Sequence, residues 1–137
     1  MIRIRGIDHV VLRVADLDRA LAFWRDALGC PVERRQDAIG LVQLRAGAHL
    51  VDLVPLSGKL GAAGGRGPGA EGRNVDHVCL RVDPWDEPAL RAHLARCGIA
   101  AGETARRVGA EGDGPSIYIT DPDGNTIELK GPPDPAP

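Results

Sequence analysis

The feature that most constrains the fold is a seven-residue segment that occurs twice. Residues 8–14 read Asp-His-Val-Val-Leu-Arg-Val, and residues 76–82 repeat them except that Cys79 replaces one Val. The two histidines, His9 and His77, are 68 residues apart (77 − 9), which is about half of the 137-residue chain. Self-similarity at such an offset indicates one supersecondary unit that is used twice.

Each copy of the segment has the period of a strand, in which successive side chains point to opposite faces. One face carries the His and the Arg, and the other carries Val, Leu and Val. The apolar face is expected to pack on the following helix. The face with the His and the Arg should then look into a wet, charged or metal-containing space.

The elements that follow each copy have a similar order. In the first half we predict a strand at 7–14, a helix at 17–28 capped by Asp16 and ended by Gly29, and strands at 31–36, 39–45 and 48–54. In the second half we predict a strand at 75–82, a helix from Asp86 to Cys97, a strand at 99–107, a Gly-rich loop at 108–115 and a hairpin of 116–120 and 126–130. No helix separates the later strands of either half, which predicts an α+β fold with mostly antiparallel sheets.

Composition places the boundaries between the modules. The first βαβββ module covers residues 4–56 and the second covers 75–131. Between them, residues 57–74 are rich in Gly and poor in large apolar side chains, as expected of a flexible linker or a mobile loop. Residues 132–137 are Pro-rich and are predicted to be a disordered tail.

Charge and cysteine usage exclude several classes of function. The net charge of −2 with interspersed signs argues against nucleic acid or an anionic membrane as a partner. No apolar run approaches the length of a membrane span, and the N-terminus lacks the apolar core of a signal peptide. Three cysteines without metal-type spacing favour reduced thiols and a cytoplasmic location.

The last strand of each half carries one acid between two aliphatic residues, in Val-Asp52-Leu and Ile-Glu128-Leu. If those aliphatic residues face a helix, the acids face the side on which His9 and His77 are expected. Two imidazoles and two carboxylates would suit a divalent ion such as Zn²⁺, Ni²⁺, Mn²⁺ or Fe²⁺. Taken singly, a His in a strand is more often a hydrogen-bonded structural residue, and a lone acid is usually solvated. The duplication favours the metal hypothesis for the set.

Four segments carry a resemblance to a known family. They are Ile7–Val14, the helix with Ala22-Phe23-Trp24 ending at Leu28-Gly29, Val75–Val78, and Tyr118–Leu129 with its Asp-Pro-Asp-Gly-Asn block. From Ile4 to Gly131 the chain resembles the vicinal-oxygen-chelate superfamily, which includes glyoxalase I, fosfomycin-resistance transferases, extradiol dioxygenases and bleomycin-resistance proteins. The resemblance implies two βαβββ modules that form an open cup with helices outside, a metal at its centre and a homodimer.

The resemblance also implies roles for individual residues. His9, His77 and Glu128 match the three ligand positions shared by most metal-dependent members, and Asp52 falls at the fourth, where glyoxalases usually carry Glu. Glu128 is then the catalytic base, and Asp52 could serve the opposite side of the substrate.

Three further residues are candidates for substrate binding. Arg13 and Arg73 resemble the arginines that grip glutathione carboxylates in glyoxalase I, and Tyr118 could donate a hydrogen bond to a substrate oxygen. Leu56 departs from the pattern, since glyoxalase I usually has Asn at that offset from the first acid. The alternative for Arg13 is a surface arginine whose stem covers apolar neighbours.

The resemblance leaves several reactions open. The first hypothesis is a metal-dependent lyase or isomerase of the glyoxalase kind, acting on a small molecule with two vicinal oxygens and with glutathione as its potential co-substrate. The alternatives are an extradiol dioxygenase, a fosfomycin-type thiol transferase, and a metal-free dimer that binds a drug as bleomycin-resistance proteins do. The intact set of His9, His77 and Glu128 argues against the last of these.

Overall fold

The computed structural model describes residues 1–136, and within it the chain divides into two compact units. The first unit is Met1–Gly69 and the second begins at Ala70. Each unit contains one four-stranded sheet of its own, and neither sheet closes into a barrel. The predicted α+β fold with two βαβββ modules is confirmed.

The first unit has the order of elements that the sequence predicts. Its four strands are β1 (His9–Val14), β2 (Val32–Gln36), β3 (Leu41–Ala46) and β4 (His49–Pro55). They lie in the order β1-β4-β3-β2, with β1 parallel to β4 and the other two pairings antiparallel. Between β1 and β2, the helix α1 (Leu17–Leu21) continues as a π-helical segment, Ala22–Ala27. A short helix, α2 (Lys59–Ala62), follows β4.

The second unit repeats this topology. Its strands are β5 (His77–Arg81), β6 (Ala105–Gly109), β7 (Gly112–Thr120) and β8 (Thr126–Lys130), and its helix is α3 (Glu87–Arg96). The strand order is β5-β8-β7-β6, again with one parallel pairing, between β5 and β8. The first strand of each unit therefore lies beside the last, which brings the repeated segment next to the strand that carries the acid.

Local sequence explains where the helices begin and end. The side chains of Asp16 and Asp86 each accept a hydrogen bond from a backbone N–H three residues later, which satisfies an otherwise unpaired donor at the helix start. Gly29 and Gly98 have φ values of 74° and 72°, a left-handed conformation that ends a helix at little cost for glycine.

The alternation within the strands separates two faces in each sheet. In the first unit, Trp24, Leu44 and Leu53 are fully enclosed, and in the second unit the same holds for Leu94 and Ile127. Apart from Phe23 and Trp24, aliphatic side chains thus form the core, as the low aromatic content of 3% predicts. Strand residues at the alternate positions point to the other face of each sheet, which carries the polar residues described below.

The prediction of a Gly-rich loop at 108–115 is wrong. Val108 and Gly109 end β6, and β7 already begins at Gly112, so only Ala110 and Glu111 form the turn. The preceding strand, predicted at 99–107, forms only from Ala105. Glycine is a weak strand former, but pairing and close packing against a neighbouring side chain override that preference here.

The helices of the structure bear on the prediction that the chain has no membrane-spanning segment. Within residues 1–136, no helix is long and apolar enough to cross a membrane.

Candidate functional site

In the first unit, β1 and β4 place a histidine near a buried acid. Asp52 lies opposite Val11 in the parallel register, one strand away from His9, and its side chain is 3% exposed. Its Oδ2 accepts a hydrogen bond of 3.2 Å from the Nε2 amide of Gln43 on β3. Its Oδ1 is buried without a hydrogen-bond donor among the described residues. One oxygen of this carboxylate therefore lacks a partner.

The second unit contains the equivalent pair at closer range. Glu128 lies opposite Cys79 in the register of β5 and β8, and it is 5% exposed. The Nε2 atom of His77 lies 3.1 Å from Oε2 of Glu128. The other oxygen, Oε1, is again buried with no donor in the described part of the chain. Both carboxylates thus present one unsatisfied oxygen, and such groups require a water or an ion for compensation.

Both histidines are oriented by the acid that precedes them. Nδ1 of His9 lies 2.6 Å from Oδ1 of Asp8, and Nδ1 of His77 lies 2.7 Å from Oδ2 of Asp76. Nδ1 of each imidazole then donates to the carboxylate, which leaves Nε2 for another partner. In protonated His77 the N–H of Nε2 donates to Oε2 of Glu128. Histidines that bind metals commonly donate their second ring N–H to a carboxylate in this way. Asp8 and Asp76 were not predicted as site residues, although the repeated Asp-His pair was a signal for them.

These contacts also change the protonation of the imidazoles. The pKa of His77 is raised above its ordinary value, first by the hydrogen bond to Asp76 and then by the charges of Glu128 and Asp76. The pKa of His9 is raised as well, first by Asp8 and then by the charge of Asp52. In both cases a proton on the imidazole is favoured by nearby carboxylates, and a divalent cation would be favoured by the same charges.

The donor set fits a divalent metal ion. Each unit offers an imidazole Nε2 and an unsatisfied carboxylate oxygen, which are ligand types typical of Zn²⁺, Ni²⁺, Mn²⁺ and Fe²⁺. The candidates occur as one pair per unit, and residues 1–136 contain no group of three His, Cys, Asp or Glu side chains placed to hold a metal. The combined set of His9, Asp52, His77 and Glu128 stays a prediction.

Tyr118 lies beside the pair of the second unit. It is opposite Glu128 in the register of β7 and β8, and its ring meets that of His77 edge to face with centroids 5.5 Å apart. The guanidinium carbon of Arg107 lies 4.2 Å from the centre of the Tyr118 ring, and Arg107 Nη1 donates to the hydroxyl and the carbonyl of Ser116. Arg107 was missed because the strand containing it was predicted without a known register. Its contacts with Tyr118 and Ser116 are therefore a finding of the tertiary structure alone.

The two arginines predicted to bind substrate contact backbone carbonyls. Arg13 donates to Gly61 over 2.9 Å, to Arg66 over 2.9 Å and to Gly65 over 2.5 Å. Arg73 donates to the carbonyl of Gly124 in the turn between β7 and β8. Each guanidinium therefore ties a loop to its own unit. The substrate-binding role of these two residues stays a prediction.

Comparisons with known proteins agree with this architecture. The family model described as the Glyoxalase/Bleomycin resistance protein/Dioxygenase superfamily matches residues 6–129. The virulence protein STM3117 of Salmonella typhimurium is 31% identical over 125 residues, covering 90% of this chain and 81% of that protein. Its crystal structure aligns with a TM-score of 0.78 at 26% identity, over 96% of this chain and 99% of that one.

Two other solved structures share the fold. The integron cassette protein VCH_CASS1 from V. cholerae aligns with a TM-score of 0.74 at 28% identity, over 96% of this chain and 98% of that one. A lactoylglutathione lyase from Agrobacterium tumefaciens aligns with a TM-score of 0.66 at 23% identity, and the match covers 93% of each chain. The family match spans both units and both His–carboxylate pairs. The chain therefore belongs to the glyoxalase/bleomycin resistance protein/dioxygenase superfamily.

Proposed function

We propose that the protein is a metal-dependent, glyoxalase-like lyase or isomerase that acts on a small substrate with two vicinal oxygens. In this proposal His9, Asp52, His77 and Glu128 bind one divalent ion. The observation that carries it is the unsatisfied oxygen on each of two buried carboxylates, each near a histidine of the first strand.

Two further features support metal binding at these residues. Asp8 and Asp76 hold Nδ1 of the two histidines and so leave Nε2 available. Catalytic metal sites commonly have three or more protein ligands, whereas each unit supplies two. In this proposal the ligand set is completed by one His–carboxylate pair from the first unit and one from the second, in keeping with the duplication in the sequence.

The reaction would use the chain's own acids as proton carriers. When bound, a divalent ion polarises both vicinal oxygens of a substrate and stabilises the negative charge that develops on them. The Glu128 carboxylate would accept the proton from one carbon and return it to the adjacent carbon, with Asp52 serving the opposite side. Burial of both acids limits competition from water. Tyr118, held by Arg107, would orient the substrate through its hydroxyl.

Metal content and turnover test the proposal together. The purified full-length protein is loaded with Ni²⁺ or Zn²⁺, dialysed and analysed for metal, and it is then assayed with the hemithioacetal of methylglyoxal and glutathione. Wild type should retain metal and turn over this substrate. The metal affinity of E128Q should fall by more than roughly 10–100-fold, which is the loss expected when only a hydrogen-bond partner of a ligand is removed. H77Q should also lose metal affinity, and H49Q is its matched control, because His49 is exposed at the start of β4.

Each possible failure has a separate meaning. A wild-type protein that binds no divalent ion would overturn the metal proposal and leave the metal-free drug-binding dimer. Metal binding with no turnover beyond that of a D52N/E128Q double variant would reject the glyoxalase reaction. Oxygen uptake with catechols after Fe²⁺ loading would instead support the extradiol dioxygenase, since two His and one Glu form the ligand set of such enzymes.

Three accompanying proposals rest on family membership. Glutathione would be a co-substrate, the chain would form a homodimer, and it would work in the cytoplasm, which its free cysteines support. Sedimentation of the purified protein checks the dimer. Turnover of methylglyoxal with and without glutathione checks the co-substrate.

A further inference from the structure

The second unit contains a cavity next to its His–carboxylate pair. Its volume is about 280 Å³, just below the roughly 300–1,000 Å³ typical of ligand pockets, which leaves room for a ligand of a few heavy atoms. The cavity is lined by Val108, Gly109, Ala110 and Gly131 and by six polar or ionisable residues. These are His77, Cys79, Arg81, Glu111, Glu128 and Lys130.

Lys130 is the most enclosed cation of this cavity. It ends β8 between Arg81 of β5 and Ser116 of β7, and it is only 5% exposed. Its stem passes over two glycines. A Cβ atom at Gly109 would lie 2.7 Å from the Cε of Lys130, and one at Gly114 would lie 2.9 Å from its Nζ. The absence of side chains at these two positions makes the room that Lys130 occupies.

The other charged groups of the cavity are already paired. Arg81 Nε lies 3.0 Å from Glu111 Oε1, and Arg81 also donates to the carbonyl of Val82. Glu128 is paired with His77. Lys130, in contrast, has no carboxylate within ion-pair distance among residues 1–136. The stem of Lys130 is buried, whereas its Nζ is not among the buried unpaired atoms and still reaches the cavity, so an anion that enters the cavity can pair with it. The cavity therefore has one cation that a ligand would compensate.

We propose that Lys130 binds a carboxylate group of the substrate. The binding of a carboxylate stands on the cavity alone, whereas its identification as part of the substrate rests on the proposed function. One uncompensated positive charge matches a singly charged carboxylate better than a doubly charged phosphate. Lysine suits this task as a compact point charge, and it does not need the planar geometry that arginine requires.

The position of Lys130 also limits the shape of the substrate. Lys130 and Glu128 are two residues apart on one strand, on the same face, so their Cα atoms are about 7 Å apart. A substrate held by Glu128 through its reacting carbons would thus carry its carboxylate a few bonds away. Arg13 and Arg73 are less suited to this role in the structure, since their guanidinium groups donate to backbone carbonyls.

The composition of the chain allows a selective test. Lys59 and Lys130 are its only lysines, and Lys59 is exposed on α2. The full chain is produced with ¹³Cε-lysine, the metal is removed, and K59R assigns the two resonances. Sodium acetate is then titrated at constant ionic strength, with inorganic phosphate as a second arm. We expect a saturable shift of the Lys130 resonance by acetate and none for Lys59.

Variants at Lys130 provide the second measurement. The amide resonances of Gly109 and Gly114 are followed in wild type, K130R and K130Q, and the same spectra report whether each variant is folded. Acetate affinity should fall at least about tenfold in K130Q, because a hydrogen bond to a charged group contributes that much, and K130R should retain part of it. If K130Q does not fold, the wild-type titration decides.

Three results would overturn the proposal. They are equal shifts of Lys59 and Lys130, wild-type acetate affinity in folded K130Q, and tighter binding of phosphate than of acetate. None of them depends on metal. A failure here is therefore distinguishable from a failure of the proposed function, which the metal analysis tests independently.

Discussion

Nε2 of His77 and Oε2 of Glu128 lie 3.1 Å apart, which joins the first and the last strand of the second unit by an ion pair. The parallel pairing of β5 and β8 creates this contact between residues that are distant in sequence. This contact is an ion pair when His77 is protonated, and a divalent ion held by both groups would compete with that proton. Four predictions follow from the environment of this pair and from the contacts of the first unit.

The contacts of His77, first with Asp76 and then with Glu128, should make the stability of the metal-free protein depend on pH. Because the pKa of His77 is raised on folding, its contribution is fully present below the unfolded value of 6.5 and is lost as pH rises through the folded value. His77 is about one-third exposed, so the contribution should be about 1 kcal/mol or less. Urea unfolding of wild type and H77Q should therefore differ most at pH 5 and least at pH 8. H49Q is the control, and a difference that stays constant with pH would contradict the assignment.

Cys79 should be a slow nucleophile. Partial desolvation, followed by the charge of Glu128, raises the pKa of its thiol from 9.0 to about 11. At about pH 8 the thiolate fraction is then about 100-fold lower than for the unshifted thiol. Iodoacetamide labelling followed by peptide mass spectrometry should show slow modification of Cys79 in metal-free protein. E128Q should accelerate it, and an unchanged rate in folded E128Q would exclude the influence of Glu128.

Arg13 should stabilise the segment that it contacts. Replacement of Arg13 by Gln removes the donors to the carbonyls of Gly61, Gly65 and Arg66. Hydrogen exchange of the amides at 60–66 should become faster, with little change in the second unit. R5Q is the control, because Arg5 is exposed near the N-terminus. Unchanged exchange together with a raised KM would favour the predicted substrate-binding role instead.

Gly61 should not tolerate a side chain. A Cβ atom at this position would lie 1.9 Å from the carbonyl oxygen of Pro55, so α2 would have to move away from the end of β4. Such overpacking typically costs about 1–3 kcal/mol. Chemical unfolding of G61A should show this loss. G69A is the matched control, because nothing lies within 4 Å of a Cβ there, and its stability should change by about 0.5 kcal/mol or less.

Much of the fold could be predicted from residue patterns. The repeat around His9 and His77 predicted two similar units, and Asp16 and Asp86 predicted where their helices begin. The prediction failed at 108–115, where glycines indicated a loop. The structure instead has the end of β6, a two-residue turn and the start of β7 there. Glycine there is explained by the space that Lys130 fills, and a local pattern has no information about a side chain on another strand.

The candidate site shows the same division. Strand alternation predicted that, within each unit, the histidine and the acid lie on the same face of the sheet, because successive side chains of a strand point to opposite faces. The contact of Arg107 with Tyr118 emerged only from the structure, since a sequence does not specify the register between strands. The contacts of Asp8 and Asp76 join neighbours in sequence, and the repeated Asp-His pair was a signal for them.

The sequence by itself determined the duplication, the order of the elements and the residue types that can bind a metal, because these depend on periodicity and on side-chain chemistry. Only the tertiary structure decided that Glu128 contacts His77, that Arg13 is engaged by a loop, and that Lys130 is enclosed without a counter-ion. The physical reason is that burial and pairing of charge arise when distant strands pack together, and no local segment contains that information.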